Sequence, residues 1–180
     1  PANAPYVCRI NTQSTVDLLE LGREAKIKKF IFASTGDVYK PKYGPCQEDD
    51  PVGPSTIYGY SKYCAELLCS GFAKYFEVCV LRLFHPYGPG QRDRLIPRLA
   101  HNIMTGRHIA VNHGAHPYVS PLYISDVVRG ITRALYFSAP EITLNLAGSE
   151  MIGVQGLALR IGRILNKEPV FMDSGLHGFD

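Results

Sequence analysis

Apolar and polar positions along this chain switch repeatedly between two periods. From about Asn11 to Ala25, Val16, Leu19 and the Leu18/Leu21 pair recur at helical spacing and predict a helix with an apolar face. "KKFIFAS" then predicts a short buried strand, and "KPKYGPCQEDDPVGPS" at 40–55, rich in Pro and Gly, predicts a loop. A second helix is predicted from about Thr56 to Phe76. "EVCVLRLF" at 77–84 follows as a second buried strand, and "PYGPGQR" as a turn. Ile96, Leu99 and Ile103 mark a further helix that Gly106 can end, and "HIAVN" a short strand. Ser125 is read as the cap of a helix over "DVVRGITRALYF", with Asp126 as an acid in its first turn. "ITLNLA" predicts a strand, 153–166 a helix carrying Leu157, Ile161 and Ile164, and "EPVFMD" a last strand. Buried strands alternating with helices predict an α/β fold with a mainly parallel sheet.

Composition supports that reading. The 180 residues are 46% hydrophobic and 19% charged, which suits a folded globular chain of one domain or one domain with a small appendage. The net charge of +3 is modest, and the basic cluster "KIKK" at 26–29 reads as a solvated helix end, so no nucleic-acid partner is expected. No apolar run approaches the ~20 residues of a membrane span, and the N-terminus does not read as a signal peptide. Cys8, Cys46, Cys64, Cys69 and Cys79 are odd in number and form no C-x-x-C, which predicts free thiols and a reducing cytoplasm. His113 and His116 lack a nearby Cys or acidic cluster, so no metal site is expected. "QEDDP" at 47–51 reads as a solvated loop.

The candidate chemistry lies in "YGYSK" at 58–62. Four residues separate Tyr58 from Lys62, which puts both on one face of the second helix. A phenol with a reference pKa of ~10 is a poor base at neutral pH, and a neighbouring ammonium favours its phenolate. The pair can therefore serve as a general acid/base, although on its own it also reads as a surface Tyr and Lys. Ser34 and Thr35 close the strand "FIFAST", and in open α/β sheets ligands bind outside the carboxyl ends of the strands.

Five motifs in order, "NTQSTVDLLE", "FIFASTGDVY", "YGYSK", "LRLFHPYGPGQR" and "LYISDVV", resemble the NAD-dependent epimerase/dehydratase family, the extended short-chain dehydrogenase/reductases, over residues 5 to 170. The resemblance implies part of a Rossmann-type doubly wound parallel sheet with a smaller C-terminal substrate-binding lobe. Residues 1–90 would hold the catalytic half, and 91–180 mainly the lobe, with late sheet elements at 139–150. It implies Thr35, Tyr58 and Lys62 as catalytic residues, with Tyr58, Lys62, Phe84 and Asn11 at the cofactor and Ser34, Thr35, His85 and Arg92 at the substrate. Tyr39 is read as structural. The implied activity is hydride transfer on a nucleotide sugar with Tyr58 as acid/base, a 4-epimerase being the best match. The alternatives are a reductase or dehydrogenase of a small hydroxylated substrate, and a non-catalytic binding protein of the same fold.

The chain departs from the family pattern in four places. The glycine-rich first turn that holds the cofactor pyrophosphate is not among these residues, so the chain reads as a fragment, inactive alone. NAD or NADP is the implied cofactor, with NAD favoured. His85 replaces the family's Asn, and its role in the site or in packing stays open. Val119 replaces an Arg that serves the diphosphate, and an apolar side chain cannot offer those donors. Gly36-Asp37 replaces the Asp-Glu of the 4,6-dehydratases and weighs against that branch. By analogy with the family, a homodimer through the helices at 11–25 and 56–76 is also implied.

Overall fold

The computed structural model describes residues 3–111 and 118–173. In chain order the first elements are α1 (Ala4–Cys8), a π-helical turn (Arg9–Gln13), α2 (Ser14–Glu24), β1 (Lys29–Thr35), a 3₁₀ turn (Gly36–Val38) and α3 (Ile57–Gly71). There follow β2 (Glu77–Leu83), β3 (Pro86–Tyr87), α4 (Leu95–Thr105), β4 (Ile109–Val111), β5 (Tyr118–Val119) and β6 (Leu122–Tyr123). The last are α5 (Ile124–Tyr136), β7 (Glu141–Leu146), β8 (Ile152–Gly153), α6 (Val154–Leu165) and β9 (Phe171–Asp173). His113 and His116 lie outside the described residues, as does Asn112 of the predicted strand.

Two compact units result. The first comprises the residues up to Phe84 together with Ile124–Ala147. Its sheet has the order β1-β2-β7 with both pairings parallel, Ser34 opposite Arg82 and Arg82 opposite Asn145. Alternation along the strands supplies two buried faces. Phe32, Val78 and Val80 pack with Leu19 of α2 and with Ala65 and Cys69 of α3. Cys79 and Leu81 pack on the opposite side with Ala134 and Ile131 of α5. Helices therefore cover both faces of a parallel sheet, as the apolar pattern predicts. Because α5 is part of that layer, it belongs with β7 to the first unit.

The second unit comprises His85–Tyr123 and the residues from Gly148 on. Leu99 and Ile103 of α4 and Leu157 and Ala158 of α6 form its core with Ile109, Val111 and Val119. Its strand pairs are β3 with β6, β4 with β9 and β5 with β8, the last antiparallel. Gly106 ends α4 with φ of +69°, as its position predicts.

Four local expectations are corrected. The first helix begins upstream of Asn11, at Ala4, and passes through the π turn. In α2, Leu19 is fully buried, whereas Leu18 and Leu21 are exposed. Ile164 likewise faces out of α6. β6 runs directly into α5, which starts at Ile124, so Ser125 sits inside the first turn rather than capping it.

Candidate active site

The site is built at the C-terminal end of β1. Thr35 is buried there, and its Oγ1 accepts the Asp37 amide at 3.2 Å, capping the 3₁₀ turn. The hydroxyl proton of Thr35 is left to donate elsewhere. Its neighbour Ser34 points the other way, as strand alternation requires, and donates to the buried Glu66 of α3. Ser34 and Thr35 therefore face different surroundings.

Glycines bring α3 and Phe84 onto this edge. A Cβ on Gly59 would stand 2.5 Å from the Asp37 carbonyl oxygen and 3.0 Å from Pro54 Cβ, so only Gly lets the first turn of α3 sit on the chain that leaves Thr35. Thr56 caps that turn, its hydroxyl accepting the Gly59 amide at 3.0 Å. Tyr58, 42% exposed, lies in the turn so placed. A Cβ on Gly36 would stand 2.5 Å from a Phe84 ring carbon; Phe84 packs against this bare backbone and stacks on Tyr39 at 6.1 Å.

One turn beyond Tyr58, the half-buried Lys62 ammonium lies 4.4 Å from the centroid of the Phe32 ring. Burial holds its pKa below the usual lysine value, an effect that the nearby Cys69 and Glu66 partly oppose. Asn11, in the π turn, donates to Ser61 Oγ at 2.9 Å, and Ser61 in turn donates to the Tyr58 carbonyl at 2.8 Å. Thr12 adds a bond to the Ser61 carbonyl at 3.0 Å. This chain ties the π turn to the segment of α3 that carries Tyr58 and Lys62. The deviation from α geometry thus falls at a residue with a site role in the resemblance, a common place for such turns.

Behind the edge lies a buried ion pair that sequence reasoning missed. Arg82 Nη2 donates to Glu66 Oε2 at 2.7 Å, and its Nε reaches Oε1 at 3.1 Å and Oε2 at 3.3 Å. The guanidinium lies 4.6 Å from the Tyr39 ring centroid, and the Tyr39 hydroxyl donates to Asn145 at 2.8 Å. Tyr39 is thus structural, as expected. Glu48 of "QEDDP" accepts the Asn145 amide at 2.8 Å, so that loop is fastened to the end of β7 rather than merely solvated. The signal for the pair was present: an arginine in the otherwise apolar "EVCVLRLF" needs a buried partner.

A cavity of about 270 Å³ adjoins this edge, lined by Gly36, Asp37, Tyr39, Lys40, Pro41, Lys42, Cys46, Ser55 and Thr56. Lys42 is paired with Asp50 across the loop.

Thr35, Tyr58, Lys62, Phe84, Asn11 and Ser34 all belong to the first unit, and His85 and Arg92 to the second. His85 takes φ of +46°, a region that Asn and His enter more readily than most residues. Its Nδ1 accepts the Ser120 amide at 3.3 Å. An Asn oxygen could satisfy the same amide, which accounts for the exchange in physical terms. Arg92 is exposed in the loop before α4. Val119 is buried in the core of its unit. Asp126 pairs with Arg129 one turn on, as a helix-start acid does. Among the described residues there is no cluster of metal-ligating side chains, and no helix is long and apolar enough to cross a membrane.

The profile of the NAD dependent epimerase/dehydratase family matches residues 2–147. The uncharacterized UDP-glucose epimerase YtcB of Bacillus subtilis is 35% identical over 156 residues, 83% of this chain and 48% of that protein. Among solved structures, UDP-glucuronic acid 4-epimerase of Bacillus cereus, in complex with UDP-glucuronic acid and NAD, superposes with a TM-score of 0.81 at 29% identity, covering 91% of this chain and 54% of the other. UDP-glucose 4-epimerase of Thermotoga maritima, with UDP-glucose, gives a TM-score of 0.83 at 25% identity, covering 96% and 60%. The chain spans about half the length of the curated relatives it matches. The sheet is accordingly of the Rossmann type, and the chain belongs to the NAD dependent epimerase/dehydratase family.

Proposed function

We propose that the full-length protein is an NAD-dependent nucleotide-sugar 4-epimerase, with Thr35, Tyr58 and Lys62 as its catalytic residues. The observation that carries this reading is Lys62. Its half-buried ammonium has no hydrogen-bond acceptor among the described residues, and it sits one turn from Tyr58 on a helix seated against the exit of Thr35. A cation held so, with its donors unspent, fits the hydroxyls of a ribose. These residues suit the nicotinamide-riboside end of a dinucleotide.

NAD, when bound, supplies the hydride acceptor and donor. Tyr58 takes the proton from the C4 hydroxyl as that carbon is oxidised to the ketone and returns it to the same oxygen once the sugar has turned its other face for reduction, with the Lys62 ammonium favouring the phenolate. Thr35 donates its free proton to the reacting oxygen. Asn11 holds the Tyr58 turn through Ser61, and Phe84 closes the edge beside Gly36 and would lie against the nicotinamide. His85 and Arg92 are assigned to the substrate. Ser34 is assigned to Glu66 rather than to the sugar, because its proton is already donated there. NAD is preferred to NADP because the similar Bacillus cereus enzyme binds NAD.

The exposed apolar residues Leu18 and Leu21 on α2, and Tyr60 and Leu67 on α3, support a homodimer through these helices. The five free cysteines support the cytoplasm as its compartment.

The test is incubation of the full-length protein with NAD and UDP-glucose, followed by chromatography of the sugar nucleotides. UDP-galactose is expected. If no nucleotide sugar is converted and none raises the melting temperature, the reading fails.

A further inference from the structure

The side of α3 that carries the proposed chemistry continues into a buried carboxylate that the chemistry does not use. Tyr58, Lys62 and Glu66 follow one another at four-residue intervals, so each lies about one turn beyond the last. The partners of Glu66 come from two strands: the Ser34 hydroxyl of β1, and Nε and Nη2 of Arg82 on β2. Ser34, Arg82 and Asn145 stand opposite one another in the register of β1, β2 and β7, a polar rung one residue behind Thr35. Asn145 is itself fixed, accepting from the Tyr39 hydroxyl at 2.8 Å and donating to the Cys46 carbonyl at 3.1 Å. The other contacts of α3 with this face differ in kind. Ala65 and Cys69 pack with Phe32, Val78 and Val80, and apolar contact has no preferred direction. It keeps the helix on the sheet without setting its rotation or its axial position.

Resting on the epimerase reading, we propose that Glu66 is a positioning residue: held by Ser34 and Arg82, it fixes α3 on the sheet and so places Tyr58 and Lys62 relative to Thr35. The first turn of α3 already has an anchor in the close approach of Gly59 and in the Asn11–Ser61 bond. A helix held at one end still pivots about it. Glu66 stands about 10 Å farther along the axis than Gly59, and its charge-assisted bonds are directional, so it supplies the second fixed point. Lys62 lies between the two. Glu66 touches none of the reacting groups and acts through the helix alone. A misplacement of about 1 Å at a catalytic group is enough to cost roughly 10²-fold in rate. An apolar pair of similar volume can match a buried ion pair in stability, but it cannot supply this directionality.

The experiment separates stability from turnover in the full-length protein with NAD and UDP-glucose, assayed well below each variant's unfolding transition. Turnover is expressed per folded molecule, stability is read from the urea midpoint, and binding of UDP-glucose is followed by calorimetry. Glu66→Leu/Arg82→Met exchanges the ionic contacts for apolar packing. Its midpoint should lie near the native one, yet kcat should fall about tenfold or more with the dissociation constant within about twofold of native. Glu66→Gln keeps hydrogen-bonding groups toward Ser34 and Arg82 but leaves the guanidinium uncompensated. Its midpoint should fall below that of the double variant, yet kcat should stay within about threefold of native. Stability and turnover thus rank the two variants in opposite orders, whereas a purely structural pair leaves kcat per folded molecule native in both. If the double variant fails to fold, Ser34→Ala removes one directional contact and keeps the ion pair; its kcat should fall by about threefold with binding unchanged. A double variant that keeps more than half of native kcat, a Gln variant that loses as much kcat as the double one, or, where it is needed, a Ser34→Ala variant with native kcat overturns the assignment of Glu66 and leaves the epimerase reading intact. Failure of the native protein to bind or convert any nucleotide sugar overturns the epimerase reading, and this inference with it.

Discussion

Replacing Glu66 by Leu should destabilise the protein far more than an ordinary surface change. Both Glu66 and Arg82 are 7% exposed, and the carboxylate takes three close N–H contacts from the guanidinium as well as the Ser34 hydroxyl. Without it, the guanidinium keeps only the face of Tyr39 and the Glu48 carbonyl at 3.5 Å. A buried charge stranded in this way costs about 3–5 kcal/mol, a large share of the ~5–15 kcal/mol that stabilises a typical domain. With a urea m value of ~2 kcal/mol/M, the unfolding midpoint should fall by roughly 2 M with m unchanged. Because the pair is buried, moderate salt should not alter the difference. The double variant Glu66→Leu/Arg82→Met should recover most of the loss, since desolvation offsets much of what the pair contributes. A single variant within about 1 kcal/mol of native, or a double variant no more stable than the single, would contradict this role of the pair.

Other consequences follow from particular contacts. Gly59→Ala should cut turnover at least tenfold, because the new methyl meets the Asp37 carbonyl and pushes the Tyr58 turn off the edge; steady-state kinetics with intact circular dichroism checks this. Cys8 and Cys64 are exposed and should alkylate in the native protein, whereas the buried Cys69 and Cys79 should react only after unfolding, as peptide mass mapping would show. Burial, reinforced by Glu66, pushes the Cys69 thiol up to about 12. Its contribution is therefore complete below the unfolded thiol value of 9.0 and is lost as pH rises from there toward 12, where the unfolded chain has lost a proton that the folded chain keeps. The urea midpoint should fall between pH 8.5 and 10.5, and fall less in Cys69→Ala. Lys62→Met should abolish most turnover without lowering the melting temperature at pH 7, since it removes a charge that burial disfavours.

The sheet was legible because β1 and β2 carry near-continuous apolar runs, while β7 alternates through Ile142, Leu144 and Leu146 between helices. Gly106 announced a helix end through its chemistry. β3, β5, β6 and β8 were not seen because two residues carry no period. Ser34 could have been separated from Thr35 by alternation alone: it shares a face with Phe32, which packs against α3, where Glu66 awaits it. The outward Leu18, Leu21 and Ile164 were misread because helical spacing marks apolar stripes without saying what covers them. The seating of α3 by Gly59, and of Phe84 by Gly36, depends on close backbone approach that only three-dimensional structure reveals.

The most direct test of the central claim is steady-state epimerisation of UDP-glucose by the full-length protein and its Tyr58→Phe variant, with binding of the sugar nucleotide followed by calorimetry. Loss of the phenol removes the acid/base while leaving the ring, so kcat should fall by about 10²–10⁴-fold with the dissociation constant nearly unchanged. A variant that retains more than a tenth of native turnover, or that loses activity only by failing to bind the sugar, would contradict the assignment of Tyr58.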